Sequence, residues 1–351
     1  VTNLLEVRGL HVWFDSSTGS EVHAVRGVEL TVQEGERVGL VGESGCGKTT
    51  TILAMMGLLP STASAAGQVL LNGADILATG ERSVRPHRWT DIAMVFQGAM
   101  NSFNPVRRVS AQIAEVLQVR GGESARSAKQ RSRELLRMVG IPADRMDRFP
   151  HEFSGGMRQR AAIALAVACA PKVLLADEPT TALDVMVQAQ VIELLDRLCD
   201  EQELALVLVS HDLPLVAQVC ERVSVMYAGE VVESGPVDQL SQNPAHPYTR
   251  LLFAATPDVE DESELASIPG TPPLLDHEVT GCAFAPRCDR AFHRCEIERP
   301  VLRQVGIGRF AACHLNDVAA DDLSGSTTEP SGRSGITTGP NDLSGSTTGA
   351  S

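Results

Sequence analysis

The sequence has no surplus of basic charge: 30 Lys and Arg stand against 44 Asp and Glu, for a net charge of −14. Anionic nucleic acid is repelled by such a surface on average, which argues against a nucleic-acid partner. The chain shows no charged opening segment followed by an apolar one, and no apolar run approaches the roughly 20 residues of a membrane helix. These absences predict a soluble, unexported protein. Closely paired cysteines are lacking too, although the chain holds eight cysteines. In a chain this long with no export signal, they read as buried thiols or metal ligands in preference to a small disulfide scaffold. Cys46, Cys169, Cys199 and Cys220 are scattered singly and are expected to be small buried apolar residues.

The hydrophobic pattern changes period along the chain. Residues 4–14 and 22–32 are rich in apolar and β-branched side chains around "DSSTGSE", which predicts an antiparallel β region. "ERVGLVG" reads as a buried strand and "KTTTILAMMGLL" as a helix ending near Pro60, with "GQVLLNG" and "DIAMVFQ" as further strands. Apolar residues at helical spacing between about 108 and 140 predict a helical insertion, part of a helical subdomain over about 98–170. "KVLLAD", "LALVLVS" and "RVSVMYA" then alternate with helical segments, so the fold class is α/β around a largely parallel sheet. We divide the chain into a main domain over 1–235, a small Pro- and Cys-rich accessory domain over 236–315, and a tail over 316–351. The tail repeats "DLSGSTT" and is poor in apolar residues, so it is expected to be disordered.

"GESGCGKT" at 42–49 matches G-x-x-x-x-G-K-[ST] between a predicted strand and a predicted helix. Gly42, Gly45 and Gly47 let the backbone turn so that the amides of Glu43, Ser44, Cys46 and their neighbours, through Thr50, surround phosphate oxygens. Lys48 is placed to neutralise the β and γ phosphates, and the Thr49 hydroxyl to ligate Mg²⁺. Downstream, "VLLAD" delivers Asp177 to a strand end as a magnesium ligand, and Glu178 beside it is the candidate general base.

Taken in order, these segments resemble the ATP-binding subunits of ABC transporters. "FSGGMRQR" at 153–160 is similar to the ABC signature, "ADEPTTALD" to the segment joining the carboxylates to the D-loop, and "VSHD" to the switch-histidine segment. Phe153 and Met157 stand where the common signature has Leu and Gln, but the serine and glycines remain. The resemblance implies a P-loop NTPase core and ATP with Mg²⁺ as cofactors. It implies Gln97 on magnesium, His211 at the γ-phosphate, and Asp184 coupling two sites. Ser154, Gly155 and Gly156 would clamp the ATP of a partner subunit through hydroxyl, amides and helix dipole. Phe14 resembles the aromatic that stacks on adenine; Trp13 stays open as the alternative, because alternation turns only one of the two toward the base.

"NSFNPVRRV", "NPAHPYTRLL" and "GCAFAPRC" extend the resemblance to the oligopeptide/dipeptide importer ATPases, a branch that includes nickel importers, over residues 4–315. Met157 and Arg158 with "ADEPTTALD" look like the first of two non-identical ATPase subunits. The implied assembly has a second ATPase, two membrane permeases and an extracytoplasmic solute-binding protein, with this chain peripheral at the cytoplasmic face. A repair or translation ABC ATPase is the alternative class. Cys282, Cys288, Cys295 and Cys313 follow C-x5-C-x6-C-x17-C, which leaves zinc and an iron–sulfur cluster both open. The resemblance favours [4Fe–4S]. His293 and His314 beside these thiols are expected to be neutral surface residues.

Overall fold

The computed structural model describes residues 3–15, 21–98, 102–255, 267–277 and 279–317. The repeat-bearing tail expected to be disordered lies, beyond residue 317, outside the described residues. Strands β1 (Leu5–Asp15) and β2 (Glu21–Val32) pair antiparallel, followed by β3 (Arg37–Val41), α1 (Lys48–Met55), β4 (Ala63–Leu71), β5 (Ala74–Asp75), α2 (Glu81–Val84) and β6 (Ile92–Val95). Helices α3 (Val109–Val119), α4 (Ala125–Met138) and α5 (Gly155–Ala166) come next, then β7 (Val173–Asp177), α6 (Val185–Gln202), β8 (Ala205–Ser210), α7 (Leu213–Val219), β9 (Arg222–Tyr227) and β10 (Glu230–Pro236). Beyond them lie α8 (Val237–Gln242), α9 (Pro247–Ala254), α10 (His293–Ile297), β11 (Arg303–Gly306) and β12 (Arg309–Ala311).

Two sheets result. The four-stranded antiparallel sheet has the order β2-β1-β4-β5, and the eight-stranded sheet the order β11-β12-β10-β9-β3-β8-β7-β6. From β9 to β6 the larger sheet is parallel. Its strands are near-continuous apolar runs because both faces are covered. Alternation divides them: Val173, Leu175, Val207 and Val209 pack with the antiparallel sheet and Ile52 of α1, whereas Leu174, Ala176, Leu206 and Leu208 pack with residues of α3 to α7. The helical insertion buries Ile113, Ala114 and Leu117 of α3, the one-face spacing that its sequence shows.

Residues 236–315, expected to form an accessory domain, join the core at the edge of the large sheet. There β12 adds to β10, and the described residues up to Asn316 belong to one compact unit. The chain has only two tyrosines, and both sit at this junction. Tyr227 and Tyr248 lie 4.6 Å apart between ring centroids, and Phe284 is 5.2 and 5.4 Å from them. Glu233, fully buried, accepts the backbone N–H groups of Ala245 and His246 and so fixes the start of α9. Of the scattered cysteines, Cys46, Cys199 and Cys220 are buried and Cys169 is half-buried.

Candidate active site

The loop at 42–49 joins β3 to α1, and close backbone approach dictates its glycines. A Cβ on Gly42 would stand 2.2 Å from the Met226 carbonyl oxygen, and one on Gly47, whose φ is +104°, would stand 2.7 Å from that of Ala24. Lys48, first residue of α1, is buried, and its Nζ donates to the carbonyls of Gly42 at 2.8 Å and Glu43 at 2.9 Å. The loop is thus curled around its own ammonium, with the helix N-terminus behind it.

Parallel pairing brings the C-terminal ends of β3, β7 and β8 together, which is what assembles residues far apart in sequence. Thr49 Oγ1 donates to Asp177 Oδ1 at 3.1 Å, so two hard oxygen donors meet beside the loop. Asp177 is almost wholly buried, and burial pushes its carboxyl pKa up despite the Thr49 hydrogen bond. A buried carboxylate in that condition fits a cation, and this donor set fits Mg²⁺. Glu178 sits at φ 41°, a left-handed conformation uncommon outside glycine, next to the strand end. Its Oε2 accepts from Gln97 Nε2 at 2.8 Å and from Thr181 Oγ1 at 2.9 Å, and His211 Nδ1 lies 3.2 Å from Oε1. Burial opposes its charge, but the Thr181 and His211 contacts outweigh this and hold its pKa below the usual carboxylate value. Thr181 is a member that the sequence reading did not single out; its signal was the hydroxyl three residues after Glu178.

Ser154 caps α5, accepting from the Met157 N–H at 3.3 Å, with Gly155 and Gly156 opening the helix. Asp184 caps α6 in the same manner, through the Val187 N–H at 3.0 Å. Neither side chain hydrogen-bonds to the phosphate loop, Asp177 or Glu178 among the described residues. Trp13 stacks on His11 and His23, 5.4 and 4.7 Å away, whereas its neighbour Phe14 packs on the core that contains Cys46 and Ile52.

The four late cysteines share a neighbourhood. Burial raises the Cys282 pKa to about 11, with Cys295, Cys313 and Cys288 adding to the effect, and burial likewise raises that of Cys313 to about 11. Yet among the described residues no three His, Cys, Asp or Glu side chains are grouped so as to hold a metal ion. The assembled metal site expected at these thiols is therefore not formed in this conformation: the loops bring them near one another without converging them. Contrary to expectation, His314 is buried, its Nε2 2.9 Å from the Glu298 carbonyl; His293 is exposed.

The fold and this site define an ATP-binding cassette. Residues 25–181 match the family described as ABC transporter, and residues 232–295 match the oligopeptide/dipeptide transporter C-terminal region. The chain is 45% identical to a probable peptide ABC transporter ATP-binding protein of Sinorhizobium fredii, over 88% of this chain and 94% of that one. It is 44% identical to the dipeptide transport ATP-binding protein DppD of Escherichia coli, over 91% and 99%. To the oligopeptide transport ATP-binding protein OppD of Bacillus subtilis it is 47% identical, over 83% of each. Among solved structures, a dimeric post-hydrolysis state of the ATP-binding cassette MJ0796 bound to ADP and Pi superposes with a TM-score of 0.60 at 27% identity, covering 66% of this chain and 98% of that one. The chain belongs to the ATP-binding subunits of ABC transporters, in the oligopeptide/dipeptide branch, and it is an ATPase. No helix among the described residues is long and apolar enough to cross a membrane.

Proposed function

We propose that this chain hydrolyses ATP to power peptide import. The observation that carries the reading is the match of residues 232–295 to the oligopeptide/dipeptide C-terminal region, on a sheet continuous with the ATPase core. ATP-binding subunits of ABC transporters work with membrane permeases. The assembly proposed here has two of them, a second, non-identical ATPase and an extracytoplasmic binding protein, with this chain at the cytoplasmic face. A strain lacking the chain is expected to lose uptake of labelled di- and oligopeptides and to regain it on re-expression. Unchanged peptide uptake with loss of nickel uptake would overturn the peptide reading, and tight DNA binding without permeases would overturn the transporter reading.

In this proposal Lys48 and the 42–49 amides bind the phosphates, and Thr49, Asp177 and Gln97 hold magnesium. Magnesium supplies charge neutralisation on the phosphate oxygens when bound. Glu178 takes the proton of the attacking water, and His211 orients the γ-phosphate end of the site. Phe14 stacks on adenine, a choice favoured by the commitment of the Trp13 ring to two histidines. Ser154, Gly155 and Gly156 point their helix N-terminus at the partner's ATP, and Asp184 links the two sites. The dimeric state described for MJ0796 supports the pairing of two such subunits.

The same reading assigns Cys282, Cys288, Cys295 and Cys313 as ligands of a [4Fe–4S] cluster that staples the C-terminal segment. Its support is the donor set: backbone N–H groups of Phe284, Arg290 and Leu315 point at Cys282, Cys288 and Cys313, each two residues on, as suits a thiolate-bound metal. Anaerobically purified protein is expected to contain iron and acid-labile sulfide in equal amounts. Stoichiometric zinc without iron would end the cluster assignment.

A further inference from the structure

Glu43 puts a carboxylate one position after the first glycine of the phosphate loop, where it opposes an incoming triphosphate. The C-terminal segment meets it from the other side. Arg287 Nη1 donates to Glu43 Oε2 at 2.7 Å and Nη2 to Oε1 at 3.0 Å, a bidentate fork across 244 positions of sequence. This is no loose surface pair. The Arg287 side chain is 4% exposed, its Nε donates to the Pro269 carbonyl at 2.7 Å, and Nη1 also reaches the Tyr227 hydroxyl at 3.2 Å. Its guanidinium carbon lies 5.7 and 5.8 Å from the ring centroids of Tyr227 and Phe284, so an arginine suits the place and a flexible cation would be held less well.

The same loop residue is held at its backbone. The Glu43 N–H donates to the Tyr248 hydroxyl at 2.9 Å, and the Glu43 carbonyl accepts from Lys48 Nζ at 2.9 Å. A continuous chain of contacts therefore runs from Arg287 through Glu43 to the ammonium at the centre of the loop. A rigid-body shift of the C-terminal segment cannot leave that loop unaltered.

We propose that Arg287 is a positioning residue for ATP binding: it neutralises and orients the Glu43 carboxylate, so that the segment beyond residue 236 forms part of the phosphate site. This rests on the reading of 42–49 as a phosphate-binding loop. The test measures Mg-ATP affinity of the full chain with a fluorescent ATP analogue, and KM and kcat in the assembled transporter. Arg287→Gln, which keeps a side chain of similar reach without the charge, is expected to weaken ATP binding about tenfold and raise KM alike, with kcat changed less than about twofold. Arg287→Lys restores affinity to within about threefold of the parent, as does adding Glu43→Gln to Arg287→Gln, because the uncompensated acid is then paired or gone. Unchanged affinity in Arg287→Gln, or equal weakness in the lysine variant or in the double variant, would overturn the proposal. Should the Arg287 variants fail to fold, Tyr227→Phe, which removes a hydroxyl that holds the guanidinium, decides: a loss of affinity of about twofold or more supports the proposal, and unchanged affinity overturns it. A parent chain that takes up no ATP overturns the phosphate-loop reading and this one together, whereas normal parent binding with any contrary Arg287 result removes only this one.

Discussion

Replacing Glu178 by Gln is expected to stop ATP turnover while leaving ATP bound, with hydrolysis falling about 10²- to 10⁴-fold and nucleotide affinity changing less than about threefold. The expectation follows from where the carboxylate is held. One oxygen is tied down by Gln97 and Thr181, and the other faces His211. A glutamine of the same shape fills the space, and its amide oxygen still accepts from Thr181. It has no basic oxygen with which to take a proton from water. Hydrogen bonds keep the Glu178 carboxylate ionised at neutral pH, so the substitution removes a charge and not merely a polar group. Steady-state hydrolysis by the assembled transporter, beside nucleotide binding by the same variant, is the measurement. Hydrolysis at the parent rate would remove Glu178 from the role of general base.

Lys48→Ala is expected to weaken ATP binding by about 10²-fold or more, the loss anticipated for a charge-assisted contact of roughly 2–4 kcal/mol. Two losses combine. The cation directed at the phosphates disappears, and the carbonyls of Gly42 and Glu43 lose the ammonium that now satisfies both at 2.8 and 2.9 Å. Because Lys48 is buried beneath the loop, a neighbouring lysine cannot substitute for it. Equilibrium binding of a fluorescent ATP analogue to the full chain, with and without Mg²⁺, reads the effect directly. The two variants separate roles: Lys48→Ala fails at binding, whereas Glu178→Gln binds and fails at turnover.

Much of this molecule is legible in its sequence for local reasons. Strands such as "VLLAD" and "LALVLVS" are unbroken apolar runs, which only a sheet covered on both faces accommodates, and they form β7 and β8. The phosphate loop is legible because one short segment carries glycines, lysine and hydroxyl at the spacing that its chemistry requires. The choice between Trp13 and Phe14 was not legible. Alternation says that adjacent side chains face opposite ways, and the structure adds only that the Trp13 ring stacks on His23 while Phe14 packs on the core. How closely the four cysteines group was not legible either, since spacing along a chain does not set the directions of side chains on irregular loops.

The class of chemistry and the chain's place among ATP-binding subunits of ABC transporters follow from the order of amino acids alone, because the motifs that encode both are short and contiguous. It takes folding to join the segment beyond residue 236 to the core sheet and to bring it to the loop at 42–49 through Arg287 and Tyr248. An ion pair spanning 244 positions leaves no periodic or motif signal, since its two ends meet through the packing of aromatic rings and the register of strands. Local physics sets what each residue can do, and long-range packing sets which residues it does it with.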